Sequence, residues 1–238
     1  MFRPTPLILA FATLLALLGS RAALAHSVWL EANPQGPGHV VRFGGHAGVL
    51  EDYPAEKLQQ VHAYDRQGAE LGVVRHDRAD GVRLVPEGDA ALMTLFFDNG
   101  YWSRLDSGRS ENRPMDQVPG AVSGVRAVKH HKSILHWNAQ ASRPLGQAFE
   151  LVPLADRKPR AGQPLELQVL IDGRPAAGIA LAFDEEGELA RSDANGRASL
   201  VVRPGSNRIW AGQRLAVSDD PRLTELSTEY SLVFHADE

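Results

Sequence analysis

Cysteine is absent from the 238 residues, so the chain has no disulfide framework, no zinc-thiolate site and no thiol nucleophile. Its stability must rest on hydrophobic cores, and any metal must be held by imidazole, carboxylate or amine. Long apolar runs are scarce too. The longest, Leu7 to Leu18, has 12 residues, well short of the roughly 20 that span a bilayer as a helix. Positive charge is in deficit, with 25 Lys and Arg against 29 Asp and Glu, which argues against nucleic acid as a partner. Hydrolytic motifs are also lacking: in Gly120-Ala121-Val122-Ser123-Gly124 the serine lies one place too late for a nucleophile elbow. No enzymatic activity is expected.

What is present begins at the N-terminus. Arg3, the apolar run, Gly19-Ser20 and the small-residue triplet Ala23-Leu24-Ala25 have the layout of a signal peptide with an A-x-A cleavage site. Cleavage would remove residues 1–25, leave a 213-residue chain with net charge −6, and make His26 the first residue of an exported protein that is not itself transmembrane. A histidine at a free terminus offers an α-amine and an imidazole Nδ1. Together they close one chelate ring around a metal without help from the fold.

The mature chain reads as strands, long enough for two domains of about 100 residues each. Ser27–Glu31 and His39–Phe43 alternate, Gln60–Asp65 and Leu71–Val74 form a hairpin, and Ala90–Phe97 is an apolar central strand. Residues 101–124, rich in Gly, Ser, Arg and Pro, have no assignable period and are expected as an irregular insertion. A charged connector near residues 155–162 marks a boundary between an N-terminal domain, 26–155, and a C-terminal one, 156–238. In the latter, strands are spaced by turns such as Asp172-Gly173 and Asn195-Gly196. The expected fold is all-β, with two antiparallel β-sandwich domains of immunoglobulin or transthyretin type.

Histidines supply the chemistry. His46 sits in a glycine-rich turn, and His62 in a hairpin strand. The segment Val128 to Trp137 carries His130, His131 and His136. Read as a strand, it separates His130 from His136 by roughly 20 Å, too far for one ion, and Lys129 and Lys132 would repel a cation. His39, His76 and His235 have no context that sets them apart from surface histidines. The candidate metal site is therefore His26 amine and imidazole, with His46, His62 or His131 as completing ligands and Glu31 as a carboxylate.

Several of these segments recur together in one family. His26-Ser27-Val28-Trp29-Leu30-Glu31, the Lys-x-x-Lys of residues 129–132, Pro144-Leu145-Gly146 with Glu150-Leu151-Val152-Pro153, Asp172-Gly173-Arg174-Pro175 and Ser192-Asp193-Ala194-Asn195-Gly196-Arg197 resemble a secreted bacterial family. Its function is formally unknown, and it is often labelled the periplasmic component of a cobalt or nickel uptake system. The resemblance covers nearly all of residues 26–238, with Ser192 where the family has Thr. It implies periplasmic location, two β-sandwich domains and a divalent cargo, nickel or cobalt first, with copper or zinc as alternatives. The implied partner is a membrane transporter or outer-membrane receptor. A non-metal docking module is the alternative, and a copper histidine-brace oxidase is a third reading.

Overall fold

The computed structural model describes residues 26–44, 49–78, 80–183 and 187–238. The expected signal peptide lies outside them, as does His46. The described chain is all-β. Its helical segments are three short 3-10 turns, Ala55–Lys57, Met115–Gln117 and Ala139–Ser142, and no described helix is long and apolar enough to cross a membrane.

In chain order the strands are β1 (Ser27–Ala32), β2 (His39–Gly44), β3 (Leu58–Tyr64), β4 (Glu70–Leu71), β5 (Val73–His76) and β6 (Arg83–Pro86). There follow β7 (Leu92–Leu105), β8 (Ser110–Glu111), β9 (Ala121–Ile134), β10 (Phe149–Pro153), β11 (Pro164–Ile171) and β12 (Arg174–Pro175). The last five are β13 (Ala180–Phe183), β14 (Ala190–Arg191), β15 (Arg197–Val201), β16 (Gly205–Ala216) and β17 (Glu225–Ala236).

One nine-stranded sheet, ordered β14-β13-β16-β17-β9-β7-β3-β4 with β8 beside β7, runs through the whole molecule. At its centre β17 lies parallel to β9, pairing Glu225 with Val125 through Phe234 with Ile134. The sheet is therefore continuous across residues 155 and 156, where the sequence suggests a domain boundary. Two four-stranded sheets cover it, β1-β2-β6-β5 and another in which β11 pairs with β10, β12 and β15.

Register decides which face each small sheet covers, because residues directly opposite one another across a ladder share a face. Ala63, Met93, Leu95 and Phe97 pack with Val28, Leu30, Val41, Phe43 and Leu84 in one core. Leu92, Ile134, Leu232, Phe234, Ile209 and Leu181 pack with Phe149, Leu151, Leu165 and Leu167 in the other. Ala63 pairs with Met93, whereas Leu92 pairs with Ile134 and Phe234 with Ile134. Alternation therefore puts the two cores on opposite faces. The result is two sandwiches sharing one sheet, each covering about one half of it from its own side.

Residues 101–124 differ from the expected irregular insertion. They extend the β7–β9 ladder as far as Leu105 opposite Ala121, and the connection between these two residues turns at Gly108 into the short strand β8. Tyr101 lies beneath the Arg126 and Arg222 guanidinium groups at 5.5 and 5.4 Å from the ring centre. Thr224 and Gly124 exchange hydrogen bonds across the ribbon. Much of this ribbon is solvated on both faces, so no apolar alternation marks it in sequence.

Candidate functional site

His26 stands one residue before β1, and its neighbour Ser27 pairs with Gly44 at the end of β2. The imidazole stacks on Phe43 with ring centres 5.5 Å apart, and Phe43 stacks in turn on the buried Phe97 at 5.1 Å. An aromatic column thus seats the first imidazole on the first core. Its Nε2 is 2.7 Å from Glu51 Oε1. Glu51 is placed by its backbone N–H, which donates to the Phe43 carbonyl at 2.9 Å. A carboxylate only accepts, so Nε2 carries the proton and Nδ1, the nitrogen nearer the amine, carries the lone pair of the neutral ring. This carboxylate-to-imidazole contact is the usual outer partner of a metal-ligating histidine. Sequence reasoning missed Glu51, since nothing short of the β2 register reveals which acid of the 50–60 loop meets His26.

The other expected ligands among the described residues are scattered. Glu31 lies at the far end of β1, about 16 Å along the strand from His26, where it accepts from Trp29 Nε1 at 2.9 Å and Arg42 Nε at 3.0 Å. His62 donates through Nδ1 to Glu70, 2.5 Å away across the β3–β4 hairpin. It occupies the face of the long sheet opposite His131, because it pairs with Thr94 and Thr94 with Lys132.

His131 is fully buried with both nitrogens engaged at 2.8 Å, Nδ1 by Ser231 and Nε2 by Ser133. The Ser231 hydroxyl donates to the Val28 carbonyl, so it accepts from Nδ1–H, and Ser133 donates to Nε2. Burial holds this imidazole neutral, with its pKa pulled down from 6.5 to about 3. It is a linker between β1 and the long sheet. The four described candidates, His26, Glu31, His62 and His131, are thus not brought together, and no group of three or more His, Cys, Asp or Glu among the described residues is arranged to hold a metal. The physical reason is alternation, which sends neighbouring candidates to opposite faces.

The two lysines expected to repel a cation are both neutralised. Lys129 meets Glu229 at 2.5 Å on one face, and Lys132 meets Glu150 at 2.7 Å on the other. Each small sheet also leaves a ledge of the long sheet partly open. Beside β1 lies a cavity of about 590 Å³ lined by Trp29, Glu31, His39, Arg208 and His235. The Arg208 guanidinium sits 3.8 Å over the Trp29 ring. His39, read from sequence as an ordinary surface histidine, has a buried Nδ1 with no partner among the described residues, and burial lowers its pKa. A second cavity, of about 360 Å³, opens on the other face beside His62 and His130.

Known sequences resemble this chain over most of its length. A family described as "Domain of unknown function (DUF4198)" matches residues 23–209. A protein of Haemophilus influenzae (strain ATCC 51907 / DSM 11121 / KW20 / Rd), described as "Uncharacterized protein", is 34% identical over 223 residues, covering 94% of this chain and 96% of the relative.

Proposed function

We propose, for a chain that belongs to the DUF4198 family of unknown function, a role as a periplasmic carrier of a divalent transition ion rather than as an enzyme. The ion is chelated by the amine and imidazole that signal-peptide cleavage creates at His26. Nickel and cobalt are the first candidates, with copper and zinc as competitors because nitrogen and oxygen donors favour copper intrinsically. The ion would pass to a membrane transporter or outer-membrane receptor.

The observation that carries this reading is the contact between His26 Nε2 and Glu51 Oε1 at 2.7 Å. It directs the ring so that the amine and Nδ1 belong to one chelate, and it raises the basicity of the ligating nitrogen. A carrier needs reversible binding, and a two-donor terminus completed by water or by the acceptor protein suits transfer better than a closed cage.

Calorimetry on protein beginning at His26 tests it, with nickel, cobalt and copper salts titrated separately. One extra residue ahead of His26 removes the chelating amine and should abolish tight binding. Glu51→Gln should weaken binding about 10- to 100-fold, the usual loss for an outer-sphere partner. If no ion binds more tightly than about 10 μM, or if the extended protein binds equally well, the carrier reading fails.

A further inference from the structure

The second small sheet packs over β13, β16 and β17 and leaves the same face of β3, β7 and β9 to residues 145–148. Between that segment and the strands lies the cavity of about 360 Å³, lined by Gln60, His62, Tyr64, Thr94, Phe96 and His130 among others. Its size is at the lower end of sites for small organic ligands.

The wall is preformed. Glu150 accepts from the Leu145 N–H at 2.9 Å and the Gly146 N–H at 3.2 Å while it binds Lys132. The Gln147 side chain donates to the Leu95 and His131 carbonyls and accepts from the Tyr230 hydroxyl at 3.0 Å.

Two aromatic pairs line this space. Phe96 and His130 have ring centres 5.0 Å apart, and His62 and Tyr64 lie nearly parallel at 6.3 Å. Among the described residues no Asp, Glu, Lys or Arg lines it, and His62 lies against Glu70 at its edge. His130 is 6% exposed, and its Nδ1 is buried without a hydrogen-bond partner among the described residues. A buried polar nitrogen left unmet is unusual in a folded protein and calls for a partner from outside the chain. His130 lines the cavity, and a half-turn of its imidazole keeps the ring's shape while exchanging the orphaned Nδ1 with Cδ2.

We propose that this cavity binds a flat, uncharged heteroaromatic molecule that stacks between the two aromatic pairs and donates a ring N–H to His130. A charged ligand is disfavoured because it would be buried with no unmatched countercharge. The site is separate from the His26 chelate and does not depend on it.

Saturation-transfer NMR with indole, N-methylindole and benzoate tests the proposal on the mature protein, with EDTA present so that metal binding plays no part. Indole should bind about tenfold more tightly than N-methylindole, the worth of one hydrogen bond to a neutral group. His130→Phe keeps a ring in place and should erase that difference. Gln60→Trp, at the exposed rim, should block both indoles, while His39→Phe in the other cavity should leave binding unchanged. Circular dichroism confirms that each variant is folded. Absence of indole binding, equal binding of indole and N-methylindole, benzoate binding as well as indole, a preference for indole that persists in His130→Phe, or indole binding that survives Gln60→Trp would overturn the proposal.

Discussion

His130 and His131 are consecutive residues of one strand, yet they belong to different regions of the molecule. His131 points under the first small sheet, where β1 closes over it and two serines satisfy both nitrogens. His130 points to the opposite face, where the second small sheet stops short, and its Nδ1 has no partner among the described residues. The difference teaches that a buried histidine signals structure when its bonds are complete and signals a ligand site when they are not. The lysines on either side repeat the theme. Spaced three apart, Lys129 and Lys132 face opposite ways, and each finds a carboxylate from the C-terminal half of the chain, Glu229 on β17 and Glu150 on β10. The histidine offered as a ligand and the lysines read as repelling a cation thus include parts that fasten the two sandwiches to their common sheet.

The strongest way to break this contrast is at the fully buried pair. Lys132→Met leaves the Glu150 charge uncompensated in the interior and should cost about 3–5 kcal/mol in chemical denaturation. The double variant Lys132→Met with Glu150→Leu should recover a large part of that loss, although the Leu145 and Gly146 N–H groups lose their acceptor. If the double variant is no more stable than the single one, the pair is not the cause.

Next in size is the satisfied histidine. His131→Leu orphans the hydroxyl of Ser133 and removes the donor to Ser231, at about 1–3 kcal/mol near neutral pH. Its pKa is about 3 in the folded protein against 6.5 for the free side chain, so between these values the unfolded chain takes up a proton that the folded one refuses. This site's contribution is therefore fully present above pH 6.5 and is lost as pH falls towards about 3. Denaturation midpoints across this range should show the deficit of the leucine variant narrowing as pH falls. A constant deficit would contradict the neutral, doubly bonded imidazole.

The smallest effect is expected at the unsatisfied neighbour. His130→Phe breaks no hydrogen bond at Nδ1 and should change stability by less than about 1 kcal/mol. A loss as large as that at His131 would mean that the two residues are alike after all.

Much of this fold was readable beforehand. Asp172 and Gly173 adopt positive φ of 48° and 72°, and Gly196 of 71°, as their turn chemistry suggests. The 128–137 segment is a strand through Ile134, and the hairpin around residues 65–69 is in place as far as Leu71, whereas Val73 and Val74 leave it to pair with β6. The long β7–β9 ribbon was not readable, because a strand solvated on both sides has no pattern for burial to impose. Glu51 was likewise invisible. Its meeting with His26 depends on how β2 ends and how the chain returns past it, which no local spacing encodes.

Residue types and their alternation determined by themselves that this chain is all-β and that a cut before His26 would join an amine to an imidazole, since turn preferences and the chemistry of one residue are local properties. Tertiary structure alone decided which histidines face a closed core and which face a cavity. That outcome depends on the register of β9 between β7 and β17 and on which half of each face a small sheet covers, and those pairings join residues as far as 100 positions apart.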